Sequence, residues 1–211
     1  MNQTPCVFLV DDQIPLLKAL SRLLASEDFE VARFSSAQDF LDSGNADALG
    51  CLVLDLSMPG MNGLSLQQEL IRQGSQLPII FLTGQGDLNT GIQAMKLGAV
   101  DFLTKPVDGV TLIAAVQVAI EKNRLARLEH EERKAIHVYL DSLTPRERDV
   151  MMQIVEGKLN KQVADALGIV EKTVKVHRAR VMTKMKVASL VELVRLTDRL
   201  GIRPGRNNKL K

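Results

Sequence analysis

Five short apolar runs recur through the first 120 residues, and each is followed by a segment with helical periodicity. We predict β-strands at Val7–Val10, Glu30–Phe34, Cys51–Leu56, Pro78–Thr83 and Val100–Thr104. Strands that are apolar on both faces are typical of a parallel sheet, because its long crossover connections cover both sides with helices. We therefore predict an α/β fold with a doubly wound, five-stranded parallel sheet over residues 1–120.

The segments between these runs carry apolar residues at helical spacing. They predict helices near residues 15–26, 36–43, 63–73, 87–97 and 108–120. In a doubly wound sheet, ligands bind beyond the carboxyl ends of the strands. Polar side chains at those strand ends are therefore the first candidates for a functional site.

Charge is distributed unevenly along the 211 residues, although the formal net charge is only +2. Residues 1–120 hold 6 Lys and Arg against 13 Asp and Glu, a net −7, whereas residues 141–211 hold 16 against 8, a net +8. This asymmetry predicts two domains with different partners, and the basic one is a candidate for nucleic-acid binding. A basic surface that only keeps the chain soluble is the alternative.

The segment between the two parts is itself highly charged. Nine of the fifteen residues 121–135 are Lys, Arg, Asp or Glu, and no Gly or Pro lies between Gly109 and Pro145. This composition predicts a solvated helical linker, with a flexible coil as the alternative. The predicted organisation is a domain over 1–120, a charged linker over 121–140 and a second domain over 141–211.

The basic part predicts four short helices. Thr144, Pro145 and Glu147 form a capping-box start signal, and Gly157 is suited to end that helix. The segments NKQVADALG, EKTVKVHRARVMTKM and SLVELVRLTDRLG supply the other three helices. A tight turn at Gly168 between the first two of these predicts a helix-turn-helix, whose second helix lies in the major groove of DNA.

Polar residues occupy the ends of four predicted strands. Asp11 and Asp12 end the first, Asp55 the third, Thr83 the fourth, and Lys105 follows the fifth. Crowded carboxylates repel one another, and Mg²⁺ relieves this because it prefers a few carboxylates with backbone oxygen and water. A metal, an ammonium and a hydroxyl around one carboxylate suit phosphoryl transfer onto that carboxylate. Each residue taken alone is more simply a turn or cap residue.

The motifs VDD, LDLSMPGMNG, FLTG and DFLTKP, in that order between Val7 and Ile120, resemble the receiver domain of two-component response regulators, which has the CheY-like fold. The resemblance implies that a sensor histidine kinase phosphorylates Asp55. It also implies that Mg²⁺ is held by Asp11, Asp12, Asp55 and the backbone carbonyl of Ser57.

The resemblance assigns further roles around this site. Thr83 and Lys105 would contact the phosphoryl oxygens, and Phe102 would change rotamer together with Thr83. The Lys105–Pro106 peptide bond is expected to be cis. Ser57 and Gln85 occupy positions that influence autodephosphorylation in related receivers, and both are polar, so they could orient water. The resemblance implies a chain that receives a phosphoryl group, loses it slowly and is not a turnover enzyme.

The second helix of the predicted helix-turn-helix has distinct faces on a helical wheel. Val174, Val181 and Met185 point inward, with Arg178 near their edge. The outward and flanking side chains suit base edges and phosphates. The predicted DNA-binding residues are Lys172, Thr173, Lys175, Val176, His177, Arg178, Ala179, Arg180, Thr183 and Lys184. A helical bundle with a solvated basic face is the alternative, and for His177 alone a packed side chain is equally compatible.

The order of residues from Leu143 to Leu196 resembles the LuxR-type DNA-binding domain, so the chain resembles a transcriptional regulator of the FixJ/NarL subfamily. That resemblance implies double-stranded DNA as a partner. Val170 departs from the family pattern, which often has Ser or Thr there, so the second helix lacks its usual cap. An apolar stripe on the last helix predicts either a homodimer formed after phosphorylation or core packing, and its residues are Leu190, Leu193, Val194 and Leu196.

Two other functions compete with a phosphorylation-switched regulator. A hydrolase that forms an aspartyl phosphate would need a second Asp two residues after Asp55, where Ser57 stands. A phosphorylation-independent DNA-binding protein, with a structural or ligand-binding receiver, is the other alternative. Cys6 and Cys51 lie in apolar strands, so we expect free thiols and a cytoplasmic location, and no apolar stretch predicts a membrane span.

Overall fold

The computed structural model describes residues 4–84 and 88–202, with side chains over 4–84 and 91–202. The chain divides into two compact units, Met1–Leu128 and Glu129–Lys211. The division falls inside the predicted linker. No helix among the described residues is both long and apolar enough to cross a membrane.

The first unit is built on a five-stranded parallel sheet with strand order β2-β1-β3-β4-β5. The strands are β1 Cys6–Val10, β2 Glu30–Phe34, β3 Gly50–Asp55, β4 Ile79–Thr83 and β5 Asp101–Thr104. The predicted doubly wound fold is confirmed, and the strand ends agree with the prediction to within one residue. Every residue of β3 and β4 is buried, as expected for central strands that are covered on both faces.

Helices pack on both faces of this sheet and create two apolar clusters, one on each side. Four of the helices are α1 Ile14–Ala25, α2 Ala37–Asp42, α3 Gly63–Arg72 and α4 Leu88–Lys96, with a short 3₁₀ turn at Asn45–Asp47. Because successive β3 residues face opposite sides, Leu54 belongs to one cluster and Val53 to the other.

The fifth helix, α5, extends over Gly109–Asp141. The helix predicted near 108–120 and the helical linker predicted over 121–140 thus form one continuous helix. The expectation that this segment is solvated fails at three positions. Asn123 is buried in the first unit, and Ile136 and Leu140 are buried in the second.

Up to residue 202, where the described part of the second unit ends, four further helices follow, which confirms the predicted all-α domain. They are α6 Pro145–Val155, α7 Asn160–Leu167, α8 Glu171–Lys184 and α9 Leu190–Arg199. The capping box predicted for Thr144 and Glu147 is present. Gly168 adopts φ 63°, a left-handed conformation that glycine accepts readily, and this turn joins α7 to α8.

Candidate functional sites

Asp55 lies at the carboxyl end of the fully buried strand β3, and the residue is only 3 % exposed. The start of α3 passes directly behind it. A side chain at Gly63 would collide with the backbone carbonyl of Asp55, so the close approach requires glycine. The sheet and α3 together hold Asp55 at the edge where the strand ends meet.

Lys105 connects two of the predicted site carboxylates. Its Nζ lies 2.7 Å from Asp11 Oδ2 and 3.1 Å from Asp55 Oδ2. The Lys105 backbone N–H also donates to the carbonyl of Thr83 at 2.7 Å, which joins the ends of β4 and β5. The predicted cis peptide bond between Lys105 and Pro106 is present.

Burial and charge act in opposite directions on these groups. Burial raises the pKa of Asp55 above its usual value, and the Lys105 hydrogen bond opposes this while the nearby Asp11 adds to it. For Lys105, burial works against the charged form, but the hydrogen bonds to Asp11 and Asp55 outweigh it and raise the pKa. The ammonium is therefore charged at neutral pH and supports an ionised Asp55 beside it.

The site has the donor set that Mg²⁺ prefers. One carboxylate oxygen from each of Asp11, Asp12 and Asp55 lies within 4.8 Å of the others. Asp11 and Asp55 are buried, whereas Asp12 is exposed. Three carboxylates with one ammonium leave an excess of two negative charges, which a divalent cation neutralises, and hard oxygen ligands suit Mg²⁺. The residues present thus fit a magnesium site.

The remaining predicted receiver residues lie around this cluster. The Ser57 N–H donates to Asp55 Oδ1 at 3.3 Å. Thr83 is buried at the end of β4, and Phe102 is half-buried in β5 with its ring beside Gly91 of α4. Gln85 lies outside the described residues.

The predicted DNA-reading helix α8 begins at Glu171 without a side-chain cap, as expected from Val170. Val174, Val181 and Met185 are completely buried, which confirms the predicted inward face. The opposite face is solvent-exposed, and its residues are Lys172, Lys175, Val176, Ala179 and Thr183. The Lys175 Nζ lies 3.2 Å from Glu171 one turn earlier, in an exposed pair.

The other predicted contact residues of α8 differ in their surroundings. Arg180 is exposed, while Thr173 and His177 are half-buried. The His177 Nδ1 is buried and has no hydrogen-bond partner among the described residues. Arg178 donates to Asn160 Oδ1 of α7 at 3.3 Å, and Lys184 Nζ lies 2.6 Å from Glu147 Oε2 of α6.

The apolar stripe of α9 packs into the second unit. Leu193 is fully buried, and Leu190, Val194 and Leu196 pack partly buried against the same cluster. Core packing, one of the two predicted roles of the stripe, is therefore what the structure shows.

The sequence does not predict the buried hydrogen bonds of Asn123 or the ion pair of Glu147. Asn123 of α5 accepts from the Gly50 N–H at 3.1 Å and donates to the Gln76 carbonyl at 2.9 Å. Glu147 was recognised as a capping residue, but its pairing with Lys184 was not. In the sequence, Asn123 stands between the charged residues Lys122 and Arg124. This surrounding sequence does not distinguish a buried amide from an exposed one.

Known families match both parts of the chain. Residues 7–117 match the family described as "Response regulator receiver domain", and residues 141–197 match "Bacterial regulatory proteins, luxR family". The first match covers more than half of the 211 residues.

Relatives resemble the chain over nearly its whole length. "Nodulation protein W" of Bradyrhizobium diazoefficiens is 43% identical over 93% of this chain and 86% of its own. "Transcriptional regulatory protein FixJ" of Azorhizobium caulinodans is 41% identical over 97% of both. The solved structure of the response regulator StyR is 41% identical, covers 93% of this chain and 100% of its own, and has a TM-score of 0.86.

These matches and the geometry agree on both functional parts. A receiver domain implies a histidine kinase as partner, and a LuxR-type domain implies DNA as partner. Proteins with this combination are generally regulators and not enzymes. The chain belongs to the response regulators of the FixJ/NarL type and is a phosphorylation-regulated transcriptional regulator.

Proposed function

We propose that Asp55 is the phosphoacceptor of this regulator. The observation that carries the proposal is the buried carboxylate at the end of β3 with the Lys105 ammonium 3.1 Å away. An Asp55 oxygen attacks the phosphorus of a phosphohistidine on the kinase. The P–O bond to Asp55 forms as the P–N bond breaks, and the imidazole nitrogen that leaves is protonated.

In this proposal, Asp11, Asp12, Asp55 and the Ser57 carbonyl hold Mg²⁺. When bound, the metal supplies positive charge to the transferring phosphoryl oxygens. Lys105 supplies a second positive charge from the end of β5, at the same edge of the sheet. The chain would lose the phosphoryl group by slow autodephosphorylation, and the residue types at positions 57 and 85 would influence that rate.

The switch that we propose begins with Thr83. Its hydroxyl donates to a phosphoryl oxygen, and Phe102 then moves into the space that Thr83 vacates beside α4. Phosphorylation thereby favours one of two conformations of the face formed by α4, β5 and α5.

This face would form a homodimer after phosphorylation. Ile92 and Met95 of α4, and Leu97 directly after it, are each at least 38 % exposed, which supports the proposal because neighbouring exposed apolar side chains are suited to a partner surface. Light scattering with and without beryllofluoride tests it, and an unchanged mass would contradict dimerisation.

A cytoplasmic location, expected from the free cysteines Cys6 and Cys51, also stays a prediction.

In the second unit we propose that α8 reads DNA. Its exposed face supplies Lys172, Lys175, Val176, Ala179 and Thr183 to the base edges and phosphates, and Thr173 and His177 lie at the margins of that face. Arg180 supplies a further positive charge to the phosphates. The domain boundaries that we propose are 1–120 for the receiver domain, 121–140 for the charged linker and 141–211 for the DNA-binding domain.

The phosphoacceptor is tested by incubating the protein with Mg²⁺ and acetyl phosphate and then measuring its intact mass. The wild type is expected to gain one phosphoryl group, and Asp55→Asn none. Asp42→Asn, at an exposed site on α2, is the matched control and should behave as wild type. Phosphorylation of Asp55→Asn to the wild-type extent would refute the assignment.

A further inference from the structure

We infer that Lys184 is a positioning residue that fixes the recognition helix against α5 and α6, and that it does not bind a DNA phosphate. The inference rests on the proposed role of α8 in DNA binding. Lys184, on the flank of α8, would hold the helix in place, whereas the exposed residues of the same helix contact DNA.

The Lys184 ammonium is already occupied by two acceptors. Its Nζ lies 2.6 Å from Glu147 Oε2 and donates to the Ser142 carbonyl at 2.9 Å. Glu147 belongs to the first turn of α6, and Ser142 follows the last residue of α5. One side chain at the end of α8 therefore holds the ends of two other helices.

Glu147 itself is held in a single geometry. Its Oε2 accepts from the Thr144 N–H at 2.9 Å, and its own N–H donates to Thr144 Oγ1 at 3.3 Å. The same carboxylate oxygen thus serves the capping box and the ion pair. With the Glu147 side chain only 3 % exposed, removal of Lys184 would leave a buried carboxylate without its counter-charge.

The pairing also removes Lys184 as a source of positive charge for DNA. A phosphate contact increases the salt dependence of binding because the cation releases counterions from the phosphate. Lys184 and Glu147 together are neutral, and a phosphate approaching Lys184 would also approach the Glu147 carboxylate. Arg180 provides the contrast, because it is exposed and makes no ion pair among the described residues.

A second side chain, nearer the middle of α8, also bonds to a neighbouring helix. Arg178 donates to Asn160 Oδ1 at the start of α7, at 3.3 Å. Lys184 and Arg178 thereby connect α8 to three neighbouring helices, while the buried Val174 and Val181 fill the space beneath it. The exposed residues of α8 reach the groove correctly only if the helix is held at a fixed angle and register.

The test compares the double variant Glu147→Gln/Lys184→Met with Arg180→Gln. The double variant keeps the net charge of the wild type, so only a lost phosphate contact would change its salt dependence. Binding is measured at several salt concentrations to two duplexes, one selected by the wild-type chain from random DNA and a scrambled one of equal composition. All measurements are made below the thermal unfolding transition of each variant.

We expect the double variant to retain the wild-type salt slope on the scrambled duplex and to lose at least about tenfold in its preference for the selected one. Arg180→Gln should lower the slope by about 0.9 per bound subunit. The conservative variant Lys184→Arg should keep the preference, because it preserves the ion pair. Loss of fold stability alone would not change the preference of the folded molecules.

Two results would overturn the inference: a slope for the double variant as low as that of Arg180→Gln, or an unchanged preference for the selected duplex. The proposed function fails separately. If neither Arg180→Gln nor Lys175→Ala changes the salt slope, the exposed face of α8 is not the DNA-binding surface, and the positioning role falls with it.

Discussion

At the scale of single residues, burial and charge act in opposite directions at the proposed phosphoacceptor site. Asp55 needs burial to be fixed rigidly at the strand end, yet burial disfavours its ionised form. Lys105 offsets that cost by hydrogen bonding both Asp55 and Asp11. The same two carboxylates are proposed ligands of Mg²⁺, so the ammonium and the metal compete for them.

This competition predicts that Lys105→Met binds Mg²⁺ more tightly than the wild type. Removing one positive charge a few ångströms from the metal should raise the affinity roughly tenfold. Calorimetric titration with Mg²⁺ measures it. Lys122→Met is the control, since its neighbour Asn123 contacts Gly50 at the opposite end of β3. An unchanged or lower affinity in Lys105→Met would contradict competition.

Glu147 gives a prediction about pH. The hydrogen bond from Lys184, followed by that from the Thr144 backbone, lowers the Glu147 pKa from 4.5 to about 2. A carboxyl whose pKa is lower in the folded state stabilises the protein fully above its unfolded pKa. That contribution is lost as the pH falls from about 4.5 towards 2.

The wild type should therefore exceed Glu147→Gln in free energy of unfolding at pH 7, by about 2 kcal/mol for the loss of the charged hydrogen bonds that the Glu147 carboxylate accepts from Lys184 and the Thr144 N–H. The difference should shrink below pH 4.5. Chemical denaturation followed by circular dichroism measures both variants across this range. Asp165→Asn, at an exposed site of α7, should show no such convergence. A difference that stays constant with pH would count against the assigned cause.

At the scale of elements, the sequence predicted the sheet well because its signals are local. An apolar run such as Ile79–Thr83 must be buried whichever strands pair with it, so its composition alone indicates a central strand. The polar ends of these strands predicted the acidic cluster for the same reason. The buried hydrogen bonds of Asn123 and the ion pair of Lys184 with Glu147 were not predicted, because a polar residue with a buried partner resembles an exposed one in sequence.

Asn123 illustrates what such a partner contributes. From α5 it accepts from the Gly50 N–H at the start of β3 and donates to the Gln76 carbonyl in the connection before β4. Asn123→Ala should destabilise that unit by about 2 kcal/mol, because both backbone groups lose their buried partner. Urea denaturation checks this value. Gln117→Ala, exposed on the same helix, should change the stability by less than about 0.5 kcal/mol, and equal effects would contradict the role.

At the scale of the whole molecule, the two units differ in charge as well as in fold. The acidic part contains the carboxylate site, where the proposed divalent cation would supply the missing positive charge. The basic part contains α8, and its net charge of +8 over residues 141–211 favours association with DNA over any sequence. Sequence preference then depends on a few exposed side chains, which must be held in register by the helices around them.

The C-terminal end of α5 contributes to this support, so it affects where the DNA-binding unit begins. Ile136 and Leu140 are 5 % and 6 % exposed and belong to the same apolar cluster as α6 and α8. Arg199 of α9 also pairs with Glu132 at 3.0 Å. A fragment beginning at residue 141 would lack these contacts, whereas one beginning at residue 129 would keep them.

We therefore expect the fragment 129–211 to be more stable than 141–211 by at least about 3 kcal/mol, because burying each aliphatic side chain contributes about 1.5–3 kcal/mol. Urea denaturation of the two fragments measures the difference. In the full chain, Leu140→Ala should weaken the second unit, whereas Val138→Ala should not, because Val138 lies on the same helix but is 66 % exposed. Equal stability of the two fragments would show that the end of α5 is only a linker, and would return the boundary of the domain to residue 141.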